Sequence, residues 1–498
     1  MIVAPYKRHP EPPTVCWLGP DARVTTEHGE RVELETLPKG FRVWTDFDTV
    51  RELLTAGRGE ALCWLGDEIR WRHRRLDRDG WATRPSDVAV LKLPFPSSVE
   101  ACTAALSRWR DWLESYGASP TGTTGSAAWS LLRATLAEPL YTSAGWRGEP
   151  ERLLRATLGG RQELGPSGAG VHTSTEAGGP LEHWDLPAAY ASELGELPYG
   201  GQWQRVSELR RQGAEHELEW WARGNRPVFV RARVRVPAGL EYGPLPRRPR
   251  RKVQGLEAML FATTYPRGVE LRGMWTWQEL EQARAVGCTV RELEAWVHLA
   301  GGARPFSEWW AAIQAGRSMG GLAGTLAKVT GNALWGRFCM DGGRAAARSI
   351  KSGARNGECE TRRAPIPGGI PPAHDLAETV SGRVRAKLYA AMMTAGGRLV
   401  AAHTDGFWSH ELGELSAFML PTVGGWRLKE QARRLEVLSP QSLRYWPSPP
   451  AEWEPGIVLA GEPAGTAEEA FERHWAAWLE RASDSRPWAL HGARGVQA

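Results

Sequence analysis

Cysteine is scarce in this chain, and the few cysteines form no pattern that binds a metal or builds a disulfide framework. The six cysteines are scattered, with no Cys-x-x-Cys pair and no histidine at ligand spacing beside them. Structural zinc sites and disulfide-rich secreted domains both depend on such spacing. The sequence therefore fits neither class of protein.

Long apolar runs are missing as well. No stretch approaches the roughly 20 apolar residues that a membrane-spanning helix needs. The N-terminal sequence MIVAPYKRHPEPPTVCW has prolines where a secretory signal would have an apolar core. We therefore expect an intracellular protein with no membrane partner.

The residues that are present are typical of a large globular protein. The chain has 498 residues, of which 42% are hydrophobic and 24% charged, and a chain of this length is expected to form about two to four domains or subdomains. The net charge of +5 comes mainly from arginine, which permits a polyanion as partner without specifying one. Most of the 26 tryptophans should pack in cores, and a few could stack on bases.

The N-terminal half predicts a mixture of short strands and helices. Strands are expected in FRVWTDFD, EALCWLG and DVAVLKLPF, a helix in VEACTAALSRWRDWLESYG, and a linker in ASPTGTTGSAA. The alternation of apolar residues and arginine in PVFVRARVRV predicts a half-buried strand, and PLPRRPRRK reads as a basic loop.

The C-terminal half predicts more helix. A strand in RGVELRGM precedes a helix in TWQELEQARAVG, and two helices are expected across residues 304–340. Residues 341–372 are rich in Gly, Arg and Pro and predict a loop, followed by a helix over about 374–396. Two strands are expected in GGWRLKEQARRLEVLSPQSLRYW, and an amphipathic helix in AEEAFERHWAAWLERA.

Two acids stand at the ends of strand-like segments. In LVAAHTDGFWS an apolar run stops at Asp405 and Gly406, a pair that by itself favours a solvated hairpin turn. In LEHWDLPAAYASEL, Asp185 stands where a strand turns into a helix, with Pro187 expected in the first helical turn. That geometry would place the carboxylate of Asp185 near the free N–H groups of a helix N-terminus, which suits phosphate, although an N-cap aspartate would look the same.

A third segment, LAKVTGNALWGRF, carries a stripe that would make a poor core. In a helix, Lys328, Asn332, Trp335 and Gly336 fall on one face. A cation, an amide, a flat aromatic ring and a glycine suit a triphosphate at one end and a base pair at the other. Arg317, upstream on the preceding helix, could add a second phosphate contact.

With these three segments in this order, the chain resembles the family B DNA polymerases, most closely their small phage- and plasmid-type members. DLPAAY at 185–190 is similar to the motif D-x-x-S-L-Y-P, KVTGNALWG at 328–336 to K-x-x-x-N-S-x-Y-G, and HTDG at 403–406 to D-T-D-S. LGGR at 158–161 is similar to the template-contacting Y-x-G-G element without its tyrosine, and Leu443 stands where the K-x-Y element has lysine. The resemblance covers about residues 150–465.

The resemblance implies an α+β right-hand polymerase with an antiparallel-sheet palm, two-helix fingers, a short thumb and a mixed α/β N-terminal domain. The implied boundaries are 1–135 for the N-terminal domain, 136–303 and 341–425 for the two parts of the palm, 304–340 for the fingers and 426–498 for the thumb. The implied partners are primer–template DNA, deoxynucleoside triphosphates and an accessory replication or priming protein.

The family's residue roles carry over to matching positions. Asp185 and Asp405 would hold two Mg²⁺ ions, for which Mn²⁺ can substitute, and Lys328 would neutralise the reacting triphosphate. The other residues implied to contact the nucleotide are Tyr190 under the sugar, where it would favour deoxynucleotides, together with Leu186, Arg317, Asn332, Trp335 and Gly336. The residues implied to contact DNA are Gly159, Gly160, Arg161, Arg444 and Tyr445.

The departures from the motifs predict altered behaviour rather than loss of the reaction. His403 replaces the first aspartate of the third motif, and His403 and Thr404 are expected to modify metal affinity or pH dependence. The first quarter offers Asp46 and Asp48 in WTDFDT but no Asp-x-Glu pair, so we expect no 3′–5′ proofreading. Two alternatives stay open: a primase-polymerase that starts chains unaided, and a retired polymerase fold that only binds DNA.

Overall fold

The chain divides into two compact units. The computed structural model describes the following residues: 2–3, 15–18, 23–26, 30–33, 42–46, 61–65, 68–77, 80–91, 99–119, 124–137, 140–141, 160–174, 179–206, 219–220, 222, 225–247, 265–299, 302–339, 344–351, 359–365, 373–413, 425–440, 442–448, 456–458, 468, 471–472 and 475–476. Unit 1 comprises Met1–Ala144, Leu194–Gly200 and Ala303–Ala377, and unit 2 comprises Gly145–Glu193, Gly201–Gly302 and Glu378–Ala498.

Strands and helices alternate irregularly along the chain. The strands are β1 (Ile2–Val3), β2 (Val15–Leu18), β3 (Arg23–Thr26), β4 (Arg31–Glu33), β5 (Arg42–Asp46), β6 (Ala61–Leu65), β7 (Glu68–Asp77), β8 (Gly80–Leu91), β9 (Leu140–Tyr141), β10 (Arg161–Leu164), β11 (Gly170–Thr173), β12 (Leu181–Asp185), β13 (Trp203–Val206), β14 (Val228–Arg235), β15 (Glu270–Thr276), β16 (Thr289–His298), β17 (Arg344–Lys351), β18 (Cys359–Pro365), β19 (Leu399–Thr404), β20 (Gly406–His410), β21 (Arg427–Ser439), β22 (Ser442–Pro447) and β23 (Gly456–Val458). The helices are α1 (Val99–Ser115), α2 (Thr124–Thr135), α3 (Ala189–Gly195), α4 (Trp277–Ala285), α5 (Ser307–Arg317), α6 (Gly321–Cys339) and α7 (His374–Ala395), with a 3₁₀ turn at Gly396–Arg398.

Unit 1 contains a nine-stranded mixed sheet in the order β18-β17-β6-β7-β8-β5-β2-β3-β4. Strand β5 pairs in parallel with β2 and β8, and the other pairs are antiparallel. The prediction of a loop over residues 341–372 is wrong for the described part, because β17 and β18 form an antiparallel hairpin whose first strand also pairs with β6. That pairing partner lies far away in sequence, so composition alone could not reveal it.

Four helices of unit 1 pack against one another. Helix α6 contacts α1, α2 and α5, and the indole N–H of Trp109 on α1 donates to the hydroxyl of Thr330 on α6 at 3.1 Å. A second indole, that of Trp112, donates to the Ala312 carbonyl on α5 at 3.1 Å. The predicted helices across residues 304–340 are confirmed as α5 and α6, whereas the predicted linker ASPTGTTGSAA is partly wrong because α2 begins at Thr124.

Unit 2 contains two antiparallel sheets. The larger has the order β10-β19-β20-β12-β21-β22-β23, with β11 also paired to β21. Its core consists of the residues Leu181, Val400, Ala401, Trp408, Ala432, Leu435, Val437 and Leu443. The strands predicted from LVAAHTDGFWS and from GGWRLKEQARRLEVLSPQSLRYW are confirmed as β19, β20, β21 and β22.

The smaller sheet has the order β13-β16-β14-β15 and is covered by α4. The alternation in PVFVRARVRV is confirmed as β14, whose alternate residues Val228, Val230, Ala232 and Val234 are buried in the core. Helix α4 begins at a capping box, in which the Thr276 side chain accepts from the Glu279 backbone and the Glu279 side chain accepts from the Thr276 backbone. Strand β16 was not predicted from the sequence.

A buried ion network joins α4 to α7 inside unit 2. The guanidinium of Arg385 donates to Glu279 and to Glu378, each at 2.8 Å, and all three side chains are almost fully buried. Gly382, one turn before Arg385 on α7, allows this approach: a Cβ there would lie 2.4 Å from the methyl group of Thr276. The network fixes α7, which leads directly into β19.

The architecture confirms the α+β class, with mixed helix and antiparallel sheet. The division into palm, fingers and thumb stays a prediction. The predicted C-terminal amphipathic helix lies mostly outside the described residues. Two of its residues that are described, Phe471 and Trp475, pack on Leu438. Among the described residues, no helix is long and apolar enough to cross a membrane.

Candidate active site

Asp185 and Asp405 lie side by side at one end of the larger sheet of unit 2. Strands β19 and β20 form a hairpin with Asp405 at its turn. Strand β12 pairs with β20 so that Asp185 lies opposite Gly406. The ladder continues past the strand end, because the N–H of Leu186 donates to the Asp405 carbonyl at 2.8 Å. Two acids separated by 220 positions in the sequence therefore become neighbours on adjacent strands.

The backbone around the two acids takes unusual conformations. Thr404, just before Asp405, has φ of 55°, and Ala188, three residues after Asp185, has φ of 54°. Left-handed conformations of residues other than glycine are costly and concentrate at functional sites. Both junctions are therefore held in shape by their surroundings rather than by local preference.

Gly160 and Tyr190 complete the wall beside this hairpin. Arg161, the first residue of β10, pairs with Thr404, which places Gly160 against the hairpin turn. A Cβ on Gly160 would lie 2.6 Å from the Thr404 Cα and 2.8 Å from the Tyr190 hydroxyl, so only glycine fits. Tyr190 itself is buried. The structure thus brings four of the predicted site positions together: Tyr190, Gly160, Thr404 and the Asp405 turn.

A cation that the sequence did not point to lies on Asp185. Arg427, the first residue of β21, is paired with Asp185 in the sheet. Its Nε and Nη2 donate to Oδ1 and Oδ2 of Asp185 at 3.3 and 3.2 Å. The Asp185 side chain is 20% exposed and that of Arg427 is 54% exposed. The carboxylate is therefore held in a two-point ion pair that any metal ion would have to compete with.

Behind the acids lies a pair of histidines whose pKa values burial lowers. The ring of His183 stacks on Trp408 with centroids 4.6 Å apart and lies 5.2 Å from the ring of His403. Burial lowers the pKa of His183, and burial together with His183 and Lys429 lowers the pKa of His403 to about 3. His403, which replaces an acid of the family motif, thus contributes no charge near neutral pH.

One carboxylate faces this histidine pair. Oε1 of Glu430 lies 3.8 Å from Nδ1 of His183, and the neighbouring Lys429 forms an ion pair with Glu430 at 3.1 Å. Burial opposes ionisation of Glu430, but its interactions with His183, Tyr445 and Lys429 lower its pKa to about 2. Neither Glu430 nor His183 was predicted from sequence, although the alternation in RLKEQARR would have placed Glu430 on one face of a strand.

The expected phosphate cradle beside Asp185 is not formed. Pro187 lies in a turn and α3 begins only at Ala189, so Asp185 neither caps the helix nor adjoins its first N–H groups. The left-handed Ala188 separates strand and helix. The side chain of Leu186, predicted to contact the nucleotide, is buried, and its N–H is bonded to Asp405.

The predicted stripe on α6 is present in unit 1. Lys328 and Asn332 are exposed, and Trp335 and Gly336 are half-buried. The indole of Trp335 donates to the Ala377 carbonyl at 3.2 Å. Apart from its chain neighbours and the backbone of its own helix, no described atom lies within 4 Å of a Cβ built on Gly336. The opposite face of α6 is apolar, with Leu326, Ala327, Leu334 and Phe338 buried. Arg317 lies at the end of α5, the helix before α6, as the sequence predicted, and it is half-buried.

Two arginines predicted to contact DNA are buried instead. Arg161 is fully buried: its guanidinium lies 4.0 Å from the ring centre of Tyr265 and 4.8 Å from that of Tyr389, and it pairs with Glu163. Burial raises the pKa of Glu163, although Arg161 opposes that shift. Arg161, which the motif comparison assigned to DNA contact, is therefore a cation of the core.

The second buried arginine, Arg444, pairs with Glu436 and Glu472 and lies 4.8 Å from the ring centre of Phe471. Tyr445 beside it is half-buried, with its ring 5.1 Å from Trp408, and burial raises its pKa. Neither arginine is available at the surface for DNA. Gly159, Asp48 and the side chain of Asp46 lie outside the described residues.

The carboxylates suit a hard divalent cation. Mg²⁺ is usually held by one or two protein carboxylates and completes its shell with water and substrate phosphates. Asp185 and Asp405 supply two carboxylates on adjacent backbones. Within the described part of the chain, no group of three or more His, Cys, Asp or Glu residues could hold a metal ion by itself. The donor set therefore fits a metal that shares its ligands with a substrate.

Comparison with solved structures identifies the fold. Phi29 DNA polymerase in an orthorhombic crystal form aligns with a TM-score of 0.56 over 90% of this chain and 90% of that chain, at 11% identity. The same polymerase complexed with primer-template DNA aligns with a TM-score of 0.55 over 92% of this chain and 94% of that one, at 12% identity. This chain has a DNA polymerase fold. No protein-family model matches it, and a search of curated proteins found no match.

Further similar structures are complexes of Phi29 DNA polymerase with primer-template DNA and incoming nucleotides, and with single-stranded DNA, both at 11% identity and a TM-score of 0.55. At such identity the likeness concerns the fold alone. The chemistry has to be argued from this chain's own residues.

Proposed function

We propose that the protein is a template-directed DNA polymerase that adds deoxynucleotides to a primer 3′ end and releases pyrophosphate. The observation that supports this most directly is the pairing of β12 with β20, which puts Asp185 beside Asp405 in a chain with a polymerase fold. Two carboxylates on adjacent strands are what metal-assisted phosphoryl transfer requires of a protein.

In this proposal Asp185 and Asp405 hold two Mg²⁺ ions, or Mn²⁺ in their place. Such ions activate the primer hydroxyl and neutralise the charge of the leaving pyrophosphate. His403 is neutral and adds no third carboxylate. Asp185 has to leave Arg427 to become a ligand, and the released guanidinium is then available to the negatively charged triphosphate.

Tyr190 determines the choice of sugar in this proposal. Tyr190 is buried and its hydroxyl lies beside Gly160, so the ring cannot move aside without disturbing the wall of the site. A rigid aromatic ring under the nucleotide leaves no room for a 2′ hydroxyl. Deoxynucleotides are therefore the expected substrates.

The exposed face of α6 contributes the remaining nucleotide contacts in this proposal. Lys328, with Arg317, neutralises the triphosphate, since charge develops on the phosphates as the bond breaks. Asn332, Trp335 and Gly336 line the new base pair, where the open space beside Gly336 admits the bases.

The proposed partners are primer–template DNA and deoxynucleoside triphosphates. The similar Phi29 structures include complexes with primer-template DNA and incoming nucleotides. A modest positive charge and many arginines support binding through phosphates, which is sequence-independent and weakens steeply with salt. The proposal also includes an accessory replication or priming protein as a partner. It further holds that the protein does not proofread.

The test is extension of a labelled DNA primer on a template with Mg²⁺ and deoxynucleotides, comparing wild type with Asp405→Asn. Glu411→Gln is the matched control, because it removes an exposed carboxylate just beyond the far end of β20. Wild type and control should extend the primer, and Asp405→Asn should lose at least about a hundredfold in rate, as expected for loss of a metal ligand.

Additional reactions separate the alternatives. Synthesis without primer would favour a primase-polymerase, and use of ribonucleotides would contradict the role of Tyr190. Shortening of the primer when nucleotides are withheld would reveal proofreading. If no variant extends while all bind DNA in a salt-dependent way, the protein is a DNA-binding polymerase fold without catalysis.

A further inference from the structure

The smaller sheet of unit 2 carries three arginines at one level of its exposed face. In the ladder, Arg233 on β14 lies opposite Arg272 on β15 and opposite Arg291 on β16. All three are exposed. We call Arg233, Arg272 and Arg291 the arginine row.

Two of the nearby acids already have other partners, and a third, Glu270, lies at the next level opposite Arg235. Glu294, one level away on β16, pairs with Arg205 and lies 3.8 Å from Arg231. Glu292, on the same strand, pairs with Arg284. Within the described residues, the structure shows no ion pair for any member of the arginine row.

The arginine row does not stabilise the sheet. Like charges directly opposite each other on neighbouring strands destabilise a sheet. The other face of β14 supplies the packing, because Ala232 and Val234 are buried in the core. The arginines therefore contribute repulsion to the folded protein, and an anion bound across them would remove it.

The spacing suits a chain of anions. Neighbouring strands lie about 4.8 Å apart, so three guanidinium groups span roughly 10 Å in a line. Arg235, the next residue on this face of β14, adds a cation about 7 Å along the strand, opposite Glu270. Arginine is well suited to phosphate because its planar fork can donate two hydrogen bonds at once.

We propose that the arginine row binds the phosphodiester backbone of a nucleic acid strand. The sheet that carries it is separate from the one that bears Asp185 and Asp405, and binding requires neither a metal nor a reaction. The inference rests on the proposed function and deepens it, because it names a surface that would hold the nucleic acid. It assigns the exposed face of the β13-β16-β14-β15 sheet a share of the salt-dependent affinity for nucleic acid.

The test measures binding of a fluorescent single-stranded DNA by anisotropy over a range of salt concentrations. The triple variant Arg233→Gln, Arg272→Gln, Arg291→Gln should lower the slope of log affinity against log salt by about 2, since each lost phosphate contact on a single strand accounts for about 0.7. At low salt, the affinity should fall by roughly tenfold or more. The single variant Arg233→Gln should lower the slope by about 0.7, which keeps the test valid if the triple variant is unstable.

The matched control removes three positive charges that already have partners. It is Arg304→Gln, Lys387→Gln, Arg434→Gln, whose side chains are 51%, 45% and 48% exposed and pair with Glu196, Glu193 and Glu436. This control should keep nearly the wild-type slope. Equal losses in the two triple variants would show a general charge effect and overturn the proposal, as would an unchanged slope in the variants of the arginine row.

Two further arms identify the occupant. The protein could bind polyglutamate more tightly than DNA at equal salt and lose that binding in the variants of the arginine row. Such a result would identify the occupant as an acidic protein segment and overturn the proposal. Asp405→Asn should stop primer extension and keep the wild-type salt slope. An extending Asp405→Asn protein would therefore contradict the proposed catalysis while leaving the arginine row to be judged by its own slope.

Discussion

The ion pair between Arg427 and Asp185 leads to a prediction about metal affinity. Replacing Arg427 by glutamine removes the guanidinium that donates to both oxygens of the Asp185 carboxylate at 3.2 and 3.3 Å. Because a divalent ion on Asp185 must displace this guanidinium, the variant should bind the ion more tightly than wild type.

The structure sets the size of the effect. Arg427 is 54% exposed, so solvent weakens the pair, whereas the two-point geometry and the 20% exposure of Asp185 place it at the upper end for surface ion pairs. We take about 1 kcal/mol for the pair. Since about 1.4 kcal/mol corresponds to a factor of ten, the dissociation constant should fall roughly fivefold.

The assay is titration of the metal-free protein with Mn²⁺, following free ion by electron paramagnetic resonance. Arg433→Gln is the matched control, because Arg433 is an exposed arginine on the same strand and its removal changes the net charge equally. A fivefold gain in Arg427→Gln with no gain in Arg433→Gln would support competition at Asp185.

Two results would refute the reasoning. Equal affinities for wild type and Arg427→Gln would mean that the ion pair does not limit access to Asp185. Equal gains in both variants would reduce the effect to net charge. If Mn²⁺ binds none of the proteins, the assignment of Asp185 and Asp405 as metal ligands is itself contradicted.

Three other predictions concern stability. Burial keeps the pKa of His403 near 3 in the fold, against about 6.5 in the unfolded chain, so wild type should lose stability as the pH falls below about 6.5. Between about pH 7.5 and pH 5, the melting temperature measured in chelator should fall less for His403→Asn than for wild type. Equal falls would contradict this prediction. Arg385→Met leaves Glu279 and Glu378 buried without their cation and should cost about 3–5 kcal/mol in urea unfolding; a loss below about 1 kcal/mol would show that the network is dispensable. Arg233→Thr removes two like-charge cross-strand pairs and should raise the free energy of unfolding by about 0.5 kcal/mol at low salt. This gain should vanish near about 1 M salt, because screening already removes the repulsion there.

The sequence was sufficient for elements that local pattern specifies. The Asp405 hairpin followed from an apolar run ending in Asp-Gly, and β14 followed from its strict alternation. The exposed stripe of Lys328 and Asn332 followed from helical spacing alone. These features depend on residues within a few positions of one another, where periodicity and turn chemistry act directly.

Local pattern misled where a distant partner decided the outcome. Arg161 looked like a surface cation beside a glycine pair, yet two tyrosines and Glu163 surround it in the interior. The segment at 341–372 looked like a loop, yet β17 pairs with β6, nearly 300 positions upstream. Burial of a cation and pairing of a strand are properties of the partner as much as of the residue.

The sequence by itself determined which acids, cations and turns the chain has and in what order, because motif spacing is a property of the chain. Only the tertiary structure decided that Asp185 and Asp405 are neighbours, that Arg427 holds one of them, and that Arg233 lies between two other arginines. The physical reason is strand register: antiparallel pairing joins residues that are far apart in sequence, and a shift of one position would turn every side chain to the other face.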